Sequence, residues 1–148
     1  MAEGDRLPWV VFDAFALMAY VRREAAGETV AAFLREAQSG ALAVAMCVVN
    51  VGEVLYNHAH RHGAAAAELV LGLLGTLPIR VIAADLPLTQ AAAALKASVK
   101  GSGRSVSYAD CFAAALAQQL DGTLVTGDRE FEAVADVVRV EWLDATRR

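Results

Sequence analysis

The sequence predicts an α/β protein with a three-layer α/β/α architecture, in which helices cover both faces of a central, mostly parallel sheet of about five strands. Short apolar segments alternate along the chain with alanine-rich segments of helical character, and such alternation is typical of parallel sheets. The 148 residues, 57% of them hydrophobic, are enough for one buried core. We therefore expect a single domain over residues 1–148.

The first predicted strand is the compact apolar segment Trp9–Phe12, which stops at Asp13. A helix is expected over residues 14–24, because this stretch is rich in Ala, Leu and Met and ends in charged residues. A second helix is expected over residues 28–40, since apolar residues recur there at helical spacing and Gly40 follows as a stop. The chain thus begins as strand, acid, helix, helix.

A nearly unbroken apolar run at residues 41–49 predicts a second strand buried on both faces. Asn50 follows it and is predicted to cap the next helix, with Glu53 three positions later in the arrangement of a capping box. The later elements continue the alternation. They are a helix at 64–75, a strand at Ile79–Ile82, a helix opened by Pro87, a helix from about Tyr108, a strand at Thr123–Thr126 and a strand at 137–140.

The charge balance argues against binding to nucleic acid through a broad basic face. The chain has 17 acidic and 13 basic residues and a calculated pI near 5.3. Cys47 and Cys111 each lie in an apolar run, as expected of buried free thiols in a reducing compartment. The N-terminus does not resemble a signal peptide, and the longest apolar run is too short to span a bilayer. We expect a cytoplasmic protein without a membrane segment.

Four acids lie where a strand ends or a helix begins: Asp13, Glu53, Asp110 and Asp128. The carboxyl ends of parallel strands meet at one edge of a sheet, so these side chains are expected to converge. Neighbouring ionised carboxylates repel one another unless a cation neutralises them. Ligation by oxygen alone favours Mg²⁺ or Mn²⁺, which also bind substrate phosphate. The four acids therefore indicate metal-dependent phosphate chemistry.

Each acid also has a purely structural interpretation. Glu53 and Asp110 would stabilise a helix N-terminus by roughly 0.3 to 1 kcal/mol apiece. Asp13 and Asp128 would serve as turn or N-cap residues, and Asp85, which also follows a strand, is assigned to that class. The set of four favours the metal site, since removing four acids from the total leaves the remaining charges balanced.

Four motifs carry a resemblance to a known family: VFDAFALMAYV around Asp13, NVGEVL around Glu53, SYADCFAAALA around Asp110 and TLVTGDREF around Asp128. In this order they resemble the PIN-domain ribonucleases, most closely the VapC-type toxins of bacterial toxin-antitoxin pairs. The resemblance implies an endoribonuclease that depends on Mg²⁺ or Mn²⁺, with the four acids as its site and Thr126 and Asn50 as polar support. It also implies a homodimer inhibited by a cognate antitoxin.

The sequence departs from the family pattern at two positions. The family usually has a small hydroxyl residue two positions after the first acid, where this chain has Phe15. A hydrogen bond that supports the metal ligands is therefore expected to be missing. The second motif more often has Ser or Thr where this chain has Asn50.

Basic residues near the acids are candidates for contacts with RNA phosphates, although most surface cations are simply solvated. Those proposed are Lys100, Arg104 and Arg129. A zinc site at His58 and His62 is disfavoured against an exposed helix end, because no third ligand is evident. The glycines at 101–103 indicate a flexible connection rather than a phosphate loop.

Two other functions remain open at this point. A receiver-type phosphoacceptor domain also places acids and Mg²⁺ at strand ends. Such a domain has a lysine after its last strand, where this chain has Glu141-Trp-Leu-Asp. The other alternative is a degenerate PIN domain that binds RNA or protein without cleaving it.

Overall fold

The computed structural model describes residues 6–99 and 104–144. Its elements in chain order are β1 (Trp9–Phe12), α1 (Ala14–Val21), α2 (Gly27–Gln38), β2 (Ala43–Cys47), α3 (Val48–His62), α4 (Ala64–Leu74), β3 (Ile79–Ile82), α5 (Leu86–Val99), α6 (Tyr108–Gln119), β4 (Thr123–Thr126), a 3₁₀ helix (Arg129–Val134) and β5 (Val140–Trp142). The strands form one sheet in the order β3-β2-β1-β4-β5, and every neighbouring pair is parallel. The predicted α/β/α fold is confirmed.

Alternate side chains of the strands face two separate cores. Val11 of β1 and Leu124 of β4 pack with residues of α5 and α6. Val10, Phe12 and Val125 point to the opposite face, where they pack with residues of α1 to α4. This alternation is the period of two that any strand imposes on its side chains. Because both faces are covered at the centre of the sheet, β1 and β2 are apolar throughout.

The register of the central strands determines which residues meet at the carboxyl edge of the sheet. Phe12, the last residue of β1, is paired with Val125 of β4. The next residues, Asp13 and Thr126, therefore lie side by side at this edge, Asp13 just after β1 and Thr126 at the end of β4. The strand order changes direction here, since β2 and β3 lie on one side of β1 whereas β4 and β5 lie on the other. Open α/β sheets bind ligands at such a switch point.

The boundary between β2 and α3 differs from the prediction. β2 ends at Cys47, and α3 begins at Val48 with Cys47 as its N-cap residue. The predicted N-cap role of Asn50 is therefore wrong, because Asn50 is already inside the first turn. An apolar run does not distinguish a buried strand from the buried first turn of the helix that follows it.

The last strand also differs from the prediction. β5 covers Val140–Trp142 rather than residues 137–140, because the 3₁₀ helix and the turns after it occupy the preceding stretch. Val138 is buried without being part of a strand, so its apolar character reflected the core and not the sheet. Asp85 has the structural role assigned to it, since its Oδ1 accepts a hydrogen bond of 3.0 Å from the amide of Leu88 at the start of α5.

Two expectations from composition concern the thiols and membranes. Cys47 and Cys111 are both free and fully buried, as predicted from their apolar surroundings. Within the described ranges, no helix has the length and apolar character needed to cross a bilayer.

Candidate metal centre

Asp13 is the most completely enclosed of the four acids. It caps the N-terminus of α1, where its Oδ1 accepts a hydrogen bond of 2.9 Å from the amide of Ala16. Its Oδ2 accepts a hydrogen bond of 2.5 Å from the hydroxyl of Thr126. The side chain is 1% exposed, and burial raises its pKa to about 7 although both hydrogen bonds lower it. Two different elements thus fix the orientation of this carboxyl group.

Thr126 connects Asp13 to Asp128. Its buried hydroxyl donates to Asp13 and accepts a hydrogen bond of 3.0 Å from the amide of Asp128. Asp128 in turn caps the 3₁₀ helix, with its Oδ1 accepting 2.9 Å from the amide of Glu130. The hydroxyl therefore positions the carboxylate that follows β1 and the turn that carries a second carboxylate after β4.

Asp110 is held in the first turn of α6. The hydroxyl of the N-cap residue Ser107 accepts a hydrogen bond of 3.1 Å from the amide of Asp110. The next residues of α6 are buried from Cys111 to Ala117, so the helix start cannot move freely. Burial, followed by the charges of Asp128 and Asp13, raises the pKa of Asp110 to about 8. The charges of three separate elements act on this one side chain.

Glu53 approaches the other acids from α3. Asn50 is fully buried, and its Nδ2 donates to Glu53 Oε1 at 2.9 Å and to the backbone oxygen of Ala109 at 3.1 Å. It therefore joins Glu53 to the first turn of α6, beside Asp110. Burial raises the pKa of Glu53, against the lowering effect of the hydrogen bond from Asn50, and the charge of Asp128 raises it further. Asn50 Oδ1 has no hydrogen-bond partner among the described residues.

The four acids form one electrostatically coupled group. Asp13 and Asp110 each have a raised pKa to which the charges of the other acids contribute. The ion pairs that the described residues form do not include any of the four. A divalent cation would neutralise this repulsion, and carboxylate oxygens are the ligands that Mg²⁺ and Mn²⁺ prefer. The chemistry of these donors therefore suits such an ion, whereas the described acids whose carboxylate oxygens lie within 4.8 Å of one another are Asp110, Asp128 and Glu130, without Asp13 or Glu53.

A fifth acid, Glu130, was not identified from the sequence. Single carboxylate oxygens of Asp110, Asp128 and Glu130 all lie within 4.8 Å of one another. The 3₁₀ helix turns Glu130 back towards Asp128, whereas no sequence pattern predicted a helix at this point. The only signal in the sequence for including Glu130 was its position two residues after Asp128. Glu130 is exposed, so it lies at the rim of the group.

The phenyl ring of Phe15 has no hydrogen-bonding group, so Phe15 contributes no side-chain hydrogen bond to this site. Both carboxylate oxygens of Asp13 nevertheless accept a hydrogen bond, one from Ala16 and one from Thr126. The ring of Phe15 instead lies against Gly127, which is the residue between Thr126 and Asp128. The support expected from a hydroxyl at position 15 is therefore replaced by contacts of a different kind.

The proposed cationic residues gather around Glu132. Arg129 forms an ion pair of 2.6 Å with the Glu132 carboxylate and lies 4.5 Å from the centroid of the Trp142 ring. Arg104 donates a hydrogen bond of 3.1 Å to the backbone oxygen of Glu132. Lys100 lies outside the described residues. Two of the three cations are thus tethered to the 3₁₀ helix that follows Asp128.

The histidine series does not form a metal site with any other residue that the structure describes. His58 is buried, and its Nδ1 lies 3.1 Å from the backbone oxygen of Val54, so the expectation of an exposed helix end is wrong for this residue. His62 is exposed, with its ring 6.1 Å from that of His58. In the part of the chain that the structure describes, no third ligand joins them. Residues 101–103 lie outside that part.

The fold is similar to that of several solved structures. VapBC2 from Rickettsia felis, bound to a promoter DNA fragment, gives a TM-score of 0.74 at 15% identity and covers 92% of this chain and 99% of that chain. Mycobacterium tuberculosis VapC20, described as a sarcin-ricin loop cleaving toxin, gives 0.65 at 19% identity, with coverage of 84% and 94%. FitAcB from Neisseria gonorrhoeae gives 0.66 at 22% identity, with coverage of 88% and 95%.

At these identities the structural matches establish the fold alone. None of the curated proteins matches the sequence. The family model described as the PIN domain matches residues 10–137, a stretch that includes all five acids. This match favours the family resemblance over the receiver-type alternative. The chain belongs to the PIN domain family, a family of nucleases.

Proposed function

We propose that this protein is a divalent-metal-dependent endoribonuclease and the toxin of a toxin-antitoxin pair. The observation that carries the proposal is the electrostatic coupling of Asp13, Glu53, Asp110 and Asp128 at the switch point of a PIN-family sheet. Carboxyl groups that are buried together are costly for stability. Their retention at a ligand-binding edge is better explained by a cation than by helix capping alone.

Asp13, Asp110 and Asp128 are the proposed metal ligands, with Thr126 and Asn50 as positioning residues. A bound Mg²⁺ or Mn²⁺ supplies polarisation of water and neutralisation of phosphate charge. Each carboxylate oxygen of Asp13 accepts one hydrogen bond, Oδ1 from the amide of Ala16 and Oδ2 from the hydroxyl of Thr126. One lone pair on each oxygen is therefore left for such an ion. Glu130 is close enough to Asp110 and Asp128 to complete the ligand set.

Glu53 is a ligand or the base that orients the attacking water. Its Oε1 is held by Asn50, which leaves Oε2 as the atom that accepts the water proton. Its raised pKa supports this role, because a carboxylate with a pKa closer to neutrality is a better proton acceptor. The hydrogen bond from Asn50 keeps the other oxygen from rotating into the same position.

RNA is the proposed substrate, and Arg104, Arg129 and Lys100 are the proposed phosphate contacts. The relative VapC20 is described as cleaving the sarcin-ricin loop, which supports an RNA substrate for this chain. Arg104 and Arg129 meet at Glu132, on the helix that Asp128 caps. This places positive charge beside the acidic group, where a phosphodiester would approach it.

The proposed partners are a cognate antitoxin and a second copy of this chain. Several of the structurally similar proteins are VapBC complexes. Large apolar side chains are exposed on α3 and α4, among them Tyr56 at 63% and Leu69 at 76%. Exposed apolar surface of this kind is typical of protein interfaces.

The activity is tested by incubating labelled RNA with purified wild type, Asp110→Asn and Asp85→Asn, each with Mn²⁺ and with EDTA. Asp85→Asn is the matched control, because it is the same substitution in an acid that only caps a helix, and Asn also caps well. We expect Mn²⁺-dependent cleavage by wild type and Asp85→Asn and none by Asp110→Asn. Cleavage in EDTA would refute metal dependence, and an inactive wild type would favour the degenerate alternative.

The toxin role is tested separately by expressing the same three proteins in a bacterium and following growth and RNA integrity. Wild type and Asp85→Asn should arrest growth as RNA is cleaved, whereas Asp110→Asn should do neither. Growth arrest by Asp110→Asn would show that toxicity does not arise from this site.

A further inference from the structure

Gly127 lies between Thr126 and Asp128, and the space that a side chain would need there is already taken. A Cβ built on Gly127 would lie 2.5 Å from Cζ of Phe15 and 3.1 Å from its Cδ1, with Cε1 closer still. Carbon atoms in proteins do not approach one another so closely. The ring of Phe15 therefore occupies the position of a residue 127 side chain.

The backbone of Gly127 gives no other reason for a glycine. Among the described residues, the glycines with a positive φ are Gly40 and Gly63, so the conformation at 127 is open to any L-amino acid. The requirement for glycine is therefore steric, and Phe15 alone provides the three nearest atoms. Phe15 and Gly127 form a complementary pair, in which the large side chain of Phe15 on α1 packs against the residue after β4 that has no side chain.

The position of Phe15 connects this pair to the candidate metal centre. Phe15 is two residues after Asp13 in the first turn of α1, and it packs against the core that contains Phe12 and Val125. Its ring thus spans from the helix that Asp13 caps to the turn that carries Asp128. The hydroxyl of Thr126 also connects these two points.

We propose that Phe15 is a positioning residue, whose ring contacts Gly127 and thereby sets the place of the Asp128 carboxylate relative to Asp13 and Asp110. This rests on the proposed metal centre, which it deepens. The contact serves the same purpose as a supporting hydrogen bond. It restricts the position of the turn, because the backbone of residue 127 cannot move into the space that the ring occupies.

The test is a double-mutant cycle with Phe15→Ala, Gly127→Ala and the double variant. Gly72→Ala is the matched control, since nothing lies within 4 Å of a Cβ added there. Three quantities are measured: the melting temperature, the affinity for Mn²⁺, and the hydrogen-exchange rate of the Asp128 amide in the metal-free protein. That amide donates to Thr126, so its exchange reports the turn without metal or RNA.

We expect Gly127→Ala to accelerate exchange of the Asp128 amide and to weaken Mn²⁺ binding, each by about tenfold or more, with Gly72→Ala unchanged. Phe15→Ala should accelerate the same exchange more than its loss of stability explains. The double variant should return towards Phe15→Ala in both measurements. If Gly127→Ala does not fold, recovery of folding in the double variant is the expected result.

The proposal is overturned if Gly127→Ala leaves the Asp128 amide and Mn²⁺ affinity unchanged, or if the double variant is as impaired as Gly127→Ala. It is also overturned if Phe15→Ala changes only the melting temperature, because Phe15 would then be ordinary core. A wild type that binds no Mn²⁺ refutes the metal centre instead. In that case the exchange rates of the four proteins still decide whether Phe15 positions the turn.

Discussion

Thr126 donates a hydrogen bond of 2.5 Å from Oγ1 to Oδ2 of Asp13, across a sequence separation of 113 residues. The two residues extend the neighbouring strands β1 and β4 at the point where the strand order changes direction. Oγ1 of Thr126 also accepts a hydrogen bond from the amide of Asp128. One buried hydroxyl therefore fixes the relative positions of two acids that come from opposite ends of the chain.

We expect Thr126→Val to weaken Mn²⁺ binding by about tenfold and to destabilise the protein by roughly 1 to 3 kcal/mol. Valine fills the same volume but leaves the amide of Asp128 unpaired, and buried unpaired groups cost about this much. Asp13 also loses a bond that lowers its pKa, so metal binding should require a higher pH. Thr126→Ser, which keeps the hydroxyl, is the control.

Calorimetric titration with Mn²⁺ at several pH values and urea unfolding measure these effects. Wild-type affinity in Thr126→Val, with an unshifted pH dependence, would show that the hydroxyl does not position Asp13.

Asn50→Ala should lower the rate of RNA cleavage much more than it changes substrate affinity. Its amide holds Oε1 of Glu53 and also satisfies the backbone oxygen of Ala109, so its loss leaves Glu53 free to rotate. Asn57→Ala is a matched control, because Asn57 is on the same helix and donates only to the backbone oxygen of Glu53, at 3.0 Å. Measurement of kcat and KM for both variants checks this prediction. An equal effect of Asn50→Ala on kcat and on KM would contradict it.

Asp110→Asn should stabilise the metal-free protein at about pH 9, by an amount on the order of 1 to 3 kcal/mol. Asp110 is buried among other acids, so removing its charge relieves both desolvation and repulsion. At about pH 5 the difference should be much smaller, because the carboxyl group with a pKa of about 8 is then protonated in the folded protein, and only the ionisation in the unfolded chain, with the usual pKa of 3.8, still contributes.

Urea unfolding in EDTA at both pH values measures the difference in the free energy of unfolding. A destabilised Asp110→Asn at the higher pH would mean that the charged carboxylate is stabilised by a partner in the folded chain.

The sequence predicted those parts of the site that follow from strand ends and helix caps. Asp13 follows β1 directly and Asp128 lies two residues after the end of β4, and the meeting of such positions is a property of any parallel sheet. The start of α6 near Tyr108 was predicted for a similarly local reason. These features depend on a few neighbouring residues, and so a sequence pattern is sufficient to find them.

The features that escaped prediction depend on contacts between distant residues. Asn50 was expected to cap its own helix, but its amide bonds to Glu53 and to Ala109 on another helix. The ring of Phe15 meets Gly127, which no local pattern connects to it. Glu130 joined the acids through a 3₁₀ turn that has weak sequence preferences. Each is decided by tertiary packing rather than by spacing along the chain.

The raised pKa values predict how stability depends on pH. In the metal-free protein, Asp13 has a pKa of about 7 and Asp110 of about 8, against a usual value of 3.8. Between pH 4 and pH 8 the folded state therefore binds more protons than the unfolded state, so the free energy of unfolding falls as pH rises through this range. Each unit of pKa corresponds to about 1.4 kcal/mol, and the total loss should be several kcal/mol.

Mn²⁺ should reverse this dependence, because it binds the ionised carboxylates of the folded state and must displace protons below pH 7 to 8. The melting temperature in EDTA should fall from pH 5 to pH 9, whereas the increase caused by Mn²⁺ should grow over the same interval. Glu28→Gln, a substitution of an exposed acid at the start of α2, should follow the wild type in both series. If Mn²⁺ raised the melting temperature as much at pH 5 as at pH 9, the ion would be bound by groups other than these buried acids.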